Sequence, residues 1–264
     1  MAYGEEFYEK TAMMGRNFIG FQKMRMAAGA RVRRFREEEQ SKELIQVQLD
    51  YIKVLTKDEK RLLKDIVALY EESQLWAWCQ RVKGLGPMAA ATFVSYINPY
   101  KMTLADGTIS PTAGKAKSYM GLIPDASLQA GKTAKFNPGA RGRMYVVTTN
   151  VIRAQDEYYA GLYYQKKAYY EGFMGEYLEH PEKCPRYVDC MKKLQGAAVK
   201  RASRDKSKPV NVKKPSCKGH IDNMAKRWLS GLLVSHATEI ICREEGLDTS
   251  AFKAHRGYIP VPPY

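Results

Sequence analysis

Two sets of residues in this sequence have the types and spacing that a binding site requires. The first is the stretch Arg81–Met88, in which Gly84-Leu85-Gly86-Pro87 separates two helical patterns. Glycine can end a helix in the left-handed conformation, and proline fits the first turn of the next helix. Backbone N–H groups at such a turn, beside Arg81 and Lys83, would hold a phosphate. An ordinary turn between two helices, capped by its glycines, would have the same sequence.

The second set is a group of potential metal ligands beside a basic segment: Cys184, Cys190, Cys217 and His220. Cys217-x-x-His220 has a ligand-like spacing, whereas the interval between Cys184 and Cys190 is wider than is usual for a zinc pair. A structural zinc ion is therefore one prediction, and unrelated free thiols are the other. We predict no further cofactor, and the odd, scattered set of five cysteines argues against a disulfide scaffold.

The charge balance predicts a polyanionic partner. Lys and Arg number 43 against 28 Asp and Glu, a formal net charge of +15. Nucleic acid is the first candidate and an acidic membrane surface the second, since charge alone does not separate them. No stretch approaches the roughly 18 apolar residues of a membrane span, and the acidic start of the chain lacks a signal-peptide core. We therefore expect a cytoplasmic protein that does not enter a membrane.

The positive charge is concentrated in particular segments. Seven basic residues and no acid lie between Arg16 and Arg36, and six basic residues against one acid lie between Lys115 and Arg143. Gly-rich basic loops bring amides and cations to one place, which suits phosphate contacts, although a solvated basic surface has the same composition. The predicted nucleic-acid contacts are Arg31, Arg33, Arg34, Arg81, Lys83, Gly84, Gly86, Met88, Lys115, Lys117, Lys132, Lys135, Arg141 and Arg143.

The elements that would position these residues are mostly helices. Apolar residues recur every three or four positions over residues 5–40, before and after the hairpin, and from Asp222 onward, and no series of strands is evident. Thr56-Lys57-Asp58-Glu59 matches a capping box, which predicts that the helix leading to the hairpin begins there. The tyrosines between residues 158 and 177 fit a half-buried helix face, or else a surface on which bases stack.

Several of these segments, in order, resemble a known domain. They are the hairpin Val82–Ala91, the segment Tyr119-Met120-Gly121-Leu122-Ile123-Pro124, and the glycine-rich pieces 130–132 and 139–143. This span is similar to the C-terminal transposase domain of the one-hundred-and-ten family of bacterial insertion sequences, which also covers the elements numbered one-hundred-and-sixteen and nine-hundred-and-two. The resemblance implies a helix-hairpin-helix core that binds DNA, in a prokaryotic, nucleoid-associated setting.

The resemblance also says what to expect about catalysis. Members of the family pair this domain, which bears a serine nucleophile, with an RNase H-like domain that bears four acidic residues, and some are guided by a structured RNA. No segment of this sequence resembles the acidic domain, and Ala130 stands where the family has its serine. Alanine cannot attack a phosphate. The resemblance therefore implies binding more than cleavage, and we predict no catalytic residue.

These observations combine into one prediction with two alternatives. We expect a mostly α protein in which a helix-hairpin-helix core has long flanking helices and basic loops, and which grips DNA or structured RNA without cleaving it. The alternatives are a DNA transposase or recombinase subunit that acts with a partner nuclease, and a structural subunit of an RNA particle. Besides nucleic acid, the partners to consider are this nuclease and a second copy of the chain. The predicted segments are a basic helical region (1–56), the transposase-like domain (57–178), a basic arm (179–219) that the zinc ion would clip, and a last helix with a proline-rich tail (220–264).

Overall fold

A computed structural model of the chain describes residues 2–124, 126, 133–204 and 217–263. The predicted mostly α fold is confirmed, because these residues form eleven α-helices and two short 3-10 helices, and an isolated antiparallel bridge from Thr103 to Ile109 is their only β pairing. None of the helices in the described ranges is long and apolar enough to cross a membrane. The α-helices are α1 (Gly4–Glu37), α2 (Lys42–Tyr70), α3 (Gln74–Arg81), α4 (Pro87–Tyr96), α5 (Ala113–Tyr119), α6 (Pro138–Arg153), α7 (Glu157–Phe173), α8 (Gly175–Glu179), α9 (Tyr187–Arg204), α10 (Lys218–Glu244) and α11 (Ser250–Lys253).

The chain divides into two compact units. Unit 1 contains residues Met1–Glu157 and Ser230–Tyr264, and unit 2 contains Tyr158–Leu229. Unit 2 is therefore an insertion between two parts of unit 1 in the sequence. All the predicted phosphate contacts belong to the residues of unit 1, and all four predicted metal ligands belong to unit 2.

α1 and α2 pack along each other in unit 1. The predicted start of a helix at Thr56 was wrong, because α2 runs through this position without a break. The hydroxyl of Thr56 donates to the carbonyl of Ile52 at 2.7 Å, a bond within the helix that removes it from any capping role. The cap of α2 is instead Ser41, whose hydroxyl accepts the amide of Leu44 at 3.3 Å.

α4 lies at the centre of unit 1 and packs against α1, α2, α3 and α6. Its small residues Ala89, Ala90 and Ala91 are buried, so neighbouring helices approach its backbone closely. The closest crossing is with α1 at Gly15, where a Cβ atom would lie 1.6 Å from the hydroxyl oxygen of Ser95. Only glycine fits at that crossing.

α6 runs in the opposite direction to α4. Gly84, just before α4, lies against the end of α6, because its Cβ would be 2.5 Å from the carbonyl oxygen of Asn150. At the other end, a Cβ on Gly139 would be 3.6 Å from the hydroxyl of Tyr96. Gly84 and the first turn of α6 are thus separated by about eleven residues of helix, or about 16 Å at 1.5 Å per residue.

A buried carboxylate joins the beginning of α1 to the end of α10. Glu245 is 8% exposed, and its oxygens accept the backbone amides of Tyr3 and Gly4 at 2.9 and 3.0 Å. The hydroxyls of Tyr8 and Tyr100 also donate to it, at 3.0 and 2.6 Å. A negative charge at the start of a helix is favourable, and here the charge at the start of α1 comes from the second part of unit 1, residues 230–264.

Candidate nucleic-acid interface

The turn between α3 and α4 combines glycine geometry with unpaired amides. Gly84 has φ +89°, a conformation that favours glycine, and its contact with Asn150 leaves no room for a side chain. The carbonyl of Gly86 accepts the amides of Ala89 and Ala90 at 3.0 Å each. The amides of Gly86 and Met88 have no acceptor within the described part of the chain. Unpaired amides at the start of a helix are the groups that bind an anion.

Two acidic residues that the sequence reasoning missed stand beside this turn. Asp156 is 4% exposed and accepts the amide of Lys83 at 3.0 Å, so one of the turn's amides is already used. Glu157 pairs with the ammonium of Lys83 at 3.2 Å, and both side chains are largely exposed. An exposed pair of this kind is weak, so a phosphate could replace the Glu157 carboxylate. The signal available in the sequence was the pair of acids that follows the break after α6.

Two of the predicted basic contacts, both on α5, are partly buried in unit 1. The ammonium of Lys115 donates to the carbonyls of Ser110 and Met102, at 2.7 and 3.4 Å, and so closes the loop before α5. Lys117 packs against α10, where a Cβ on Gly231 would lie 3.4 Å from its stem, and burial lowers the pKa of its ammonium. Both cations have structural contacts that a phosphate would have to compete with.

The two predicted phosphate contacts on α6, Arg141 and Arg143, are also engaged. Arg143 donates to Gln22 of α1, lies 5.6 Å from the centre of the Phe18 ring, and has its pKa lowered chiefly by burial. Gln22 in turn donates to Glu59 of α2 at 2.6 Å. Arg141 donates to the carbonyl of Ala126 at 3.1 Å and lies over the ring of Phe136. Arg143 therefore helps hold α1, α2 and α6 together.

Six of the predicted basic contacts have exposed side chains. They are Arg31, Arg33 and Arg34 on α1, Arg81 and Lys83 at the turn, and Lys135 before α6. Lys132, and also Ala130 at the place of the family's serine, lie outside the described residues.

The hairpin and α1 contact α6 near its opposite ends. The turn with Arg81 and Lys83 lies against the last turn of α6, through Gly84. The contact of α1 with Arg143 is at Gln22, near the start of α6, and Arg31 follows nine residues later, about 14 Å further along the helix. The structure therefore brings the hairpin and the basic half of α1 into one unit without placing them side by side.

The tyrosine-rich helix α7 has both buried rings, which fit the predicted core face, and exposed rings, which fit the predicted base-stacking surface. Tyr159 and Tyr163 are buried, as a core face requires. Tyr169 is 60% and Phe173 is 77% exposed, so these rings are open to solvent. The ammonium of Lys166 lies 4.2 Å from the centre of the Tyr169 ring, a cation beside an exposed aromatic surface.

The cysteines of unit 2 lie near one another, although no three potential ligands in the described ranges stand in a metal-binding arrangement. Cys217 is buried against Met174 and Ile221, and Cys184 packs on the same cluster. The pKa of the Cys217 thiol is raised, first by burial and then by a hydrogen bond with Cys184 and by the nearby Cys190. Burial, followed by the charge of Arg186, lowers the pKa of His220.

Comparison with known proteins gives no relative: no family model, no curated protein and no solved structure matches this chain.

Proposed function

We propose that the chain binds nucleic acid through phosphate contacts made by unit 1. The observation that carries the proposal is the exposed basic half of α1, where Arg31 and Arg33 have no acidic partner among the described residues. Arg34 has one acidic partner among the described residues, Glu38 at 3.6 Å, in an exposed pair that contributes little. Phosphates would pair with these cations and release counterions, which is the main source of affinity in such complexes.

The hairpin supplies a second, weaker contact in this proposal. The unpaired amides of Gly86 and Met88 favour an anion there, and Lys83 adds a cation. Glu157 and Asp156 oppose it, because they bring negative charge to the same turn. The hairpin contacts the end of α6 at Asn150, whereas α1 contacts Arg143 near the start of α6, so the hairpin and the cations of α1 would hold two separate runs of phosphates.

The resemblance to insertion-sequence transposases supports DNA as the ligand and a prokaryotic, nucleoid-associated setting. Cleavage is not part of the proposal, because the place of the family's serine holds Ala130. A recombinase subunit that acts with a partner nuclease is the enzymatic alternative, and it predicts strand cleavage or a covalent adduct with DNA. A subunit of an RNA particle is the second alternative, favoured by the exposed rings of Tyr169 and Phe173, on which unpaired bases could stack.

The decisive experiment compares affinity and its salt dependence for two triple variants. Arg31→Gln, Arg33→Gln and Arg34→Gln together remove three charges from α1. The control Lys10→Gln, Lys253→Gln and Arg256→Gln removes three exposed charges elsewhere in unit 1. Fluorescence anisotropy would measure binding of the full chain to duplex DNA, branched DNA and a folded RNA of equal length.

The α1 variant should lower the slope of log affinity against log salt by about 2.7, at about 0.9 per lost phosphate contact. The control should change the slope by less than about 1. Equal effects of the two variants, or binding that does not respond to salt, would refute the proposal. Preference for folded RNA over both DNAs would favour the particle alternative.

A pair of opposite substitutions tests the hairpin by itself. Lys83→Gln removes the cation, and Glu157→Gln removes the carboxylate that competes with a phosphate for it. If the turn holds a phosphate, the first should weaken and the second strengthen binding, each by about two- to fivefold for an exposed charge. No change in either variant would mean that the hairpin is only a capped turn.

The predicted zinc ion concerns unit 2 and is proposed separately from this function. Its ligands would be Cys184, Cys190, Cys217 and His220, and its role would be structural. None of the phosphate contacts in unit 1 depends on it.

A further inference from the structure

Helix α2 carries a row of exposed apolar side chains. Leu44, Val47, Tyr51 and Val54 are between 39% and 61% exposed. Their intervals of three, four and three residues place them on one face of the helix. Leu55 is buried, so the face of α2 that packs inside unit 1 is a different one. We call the four exposed residues the α2 seam.

The spacing of the α2 seam is that of a helix that packs along another helix. Apolar residues at alternating intervals of three and four occupy the a and d positions of a heptad, where their side chains fit between those of a partner helix. The next two positions of the series are Asp58 and Arg61, which pair with each other at 3.4 Å and end the seam. The seam is therefore about 15 Å long, at 1.5 Å per residue. A helix of similar length matches it.

The charge around the α2 seam distinguishes it from the basic surfaces of unit 1. Residues 41–58 contain three basic and three acidic residues, although the whole chain has a formal net charge of +15. A polyanion finds no excess of cations on this face, and a second copy of the chain meets no net repulsion there. An apolar seam with neutral surroundings therefore favours a second copy as its occupant.

The charges beside the seam specify the direction of such a pair. When two seams lie antiparallel, the first residue of each faces the last residue of the other, and Val47 faces Tyr51. Glu43 and Lys57 adjoin the two ends of the seam and are exposed, so each would meet the opposite charge on the copy. The antiparallel pair gains two ion pairs in this way, whereas in a parallel pair each of these residues would lie level with its own copy.

Two other features agree with the antiparallel direction. Asp50, at the middle of the seam, is paired with Lys53 of its own helix at 2.9 Å, so the two copies of this acid would not meet unpaired. The turn between α1 and α2, residues 38–41, would point in opposite directions in the two copies. Because the basic half of α1 leads into this turn, the antiparallel arrangement keeps the two sets of arginines from lying level.

We propose that the α2 seam pairs antiparallel with the α2 seam of a second copy and forms a symmetric dimer. Met24 of α1 adjoins the seam, because the hydroxyl of Tyr51 donates to its sulfur at 3.7 Å. Each of these five exposed side chains contributes on the order of 100 Å², so the dimer buries about 1,000 Å² in all, at the lower end of specific interfaces. The dimer is therefore weak and depends on protein concentration. It does not rest on nucleic-acid binding by unit 1.

Sedimentation velocity of the full chain, freed of nucleic acid, tests the dimer over a wide range of concentration. Wild type should change from monomer to dimer as the concentration rises. Val47→Glu buries a charge in the seam of each copy and should raise the dissociation constant by at least about tenfold. Val199→Glu on α9 is the matched control, because it makes the same change at an exposed valine, and it should leave the constant unchanged. A monomer at every concentration, or equal effects of the two variants, would overturn the proposal.

A charge exchange tests the antiparallel direction. Glu43→Lys or Lys57→Glu alone places like charges opposite each other at both ends of the dimer and should raise the dissociation constant about tenfold. The two changes together should restore it. Residues 43 and 57 of one chain are about 21 Å apart along α2, so this rescue requires a second copy. Glu43 also bonds to Ser41 at the start of α2, and a loss from that cap alone would not be rescued. A double variant as weak as the single variants would therefore overturn the proposed pairing.

Discussion

Replacing Glu245 by Gln should destabilise unit 1 much more than an ordinary loss of one charge. The carboxylate is 8% exposed and accepts four hydrogen bonds, two on each oxygen, from two amides and two tyrosine hydroxyls. A bond to a charged acceptor is worth about 1 kcal/mol more than a neutral one, and an unpaired buried donor costs about 1–3 kcal/mol. Glutamine keeps one oxygen and turns an NH₂ group toward the other two donors. We therefore expect a loss of about 3 kcal/mol.

Urea unfolding followed by circular dichroism would measure this loss, with Glu244→Gln as the control. Glu244 is the neighbouring residue, and its carboxylate accepts the backbone amides of Gln74, at 2.9 Å, and Leu75 at the start of α3. The same change of charge there keeps one acceptor oxygen and leaves no buried tyrosine hydroxyl without its acceptor, so it should cost only about 1 kcal/mol. Equal losses in the two variants would refute the argument that Glu245 holds the start of α1.

The pH dependence of stability gives an independent check. Burial raises the pKa of the Glu245 carboxyl, but the bonds from Tyr100, Tyr3, Gly4 and Tyr8 outweigh this, and the folded-state pKa lies below its ordinary value. The stabilisation is therefore complete above the ordinary glutamate pKa of about 4.5 and is lost as the pH falls through the lower, folded-state pKa. The difference between wild type and Glu245→Gln should shrink over that range, and a constant difference would contradict the assignment.

The remaining predictions concern glycines. Gly15→Ala should cost about 2–4 kcal/mol in urea unfolding, because its Cβ would overlap Ser95, and Ser95→Gly in the same chain should recover much of the loss. Gly84→Ala should cost about 2–3 kcal/mol, from its φ of +89° and its contact with Asn150. Gly142 lies inside α6 with open space around it, so Gly142→Ala should instead raise the free energy of unfolding, by up to about 1 kcal/mol. A neutral Gly15→Ala or Gly84→Ala would mean that the close helix contacts are not as described.

Local pattern was sufficient for the helices but not for their exact ends. The three-to-four periodicity predicted the helical regions, because a buried stripe is a property of local sequence. The break before α2 was less visible, since Thr56 with Glu59 makes as good a capping signal as Ser41. The structure decides between them because the hydroxyl of Thr56 bonds to Ile52 inside a continuous helix. A capping motif shows what a residue could do, and tertiary packing determines whether it does so.

The candidate site shows a similar limit. Composition located the basic segments, but it could not show which cations pack inward. Arg143 looked equivalent to Arg33, yet it contacts Gln22 and Phe18 of a helix more than a hundred residues away. Asp156 and Glu157 reach Lys83 of the hairpin from more than seventy positions away in the sequence. The local charge at the turn therefore depends on distant residues as well as on its own. The contacts that matter most here are the ones with the longest sequence separation.

The insertion of unit 2 has a consequence for the timing of folding during synthesis. The ribosome completes α1 to α6 before it makes Tyr158–Leu229, and only afterwards adds the part of unit 1 that carries Glu245. At about 5–20 residues per second, those 72 intervening residues (158 to 229) take about 4–14 s. During that time the leading amides of the first helix bond to water in place of the Glu245 carboxylate, and Val94 of α4 lacks its apolar neighbour Ile241 of α10. The nascent chain should therefore depend on protection from aggregation for a period set by the length of unit 2.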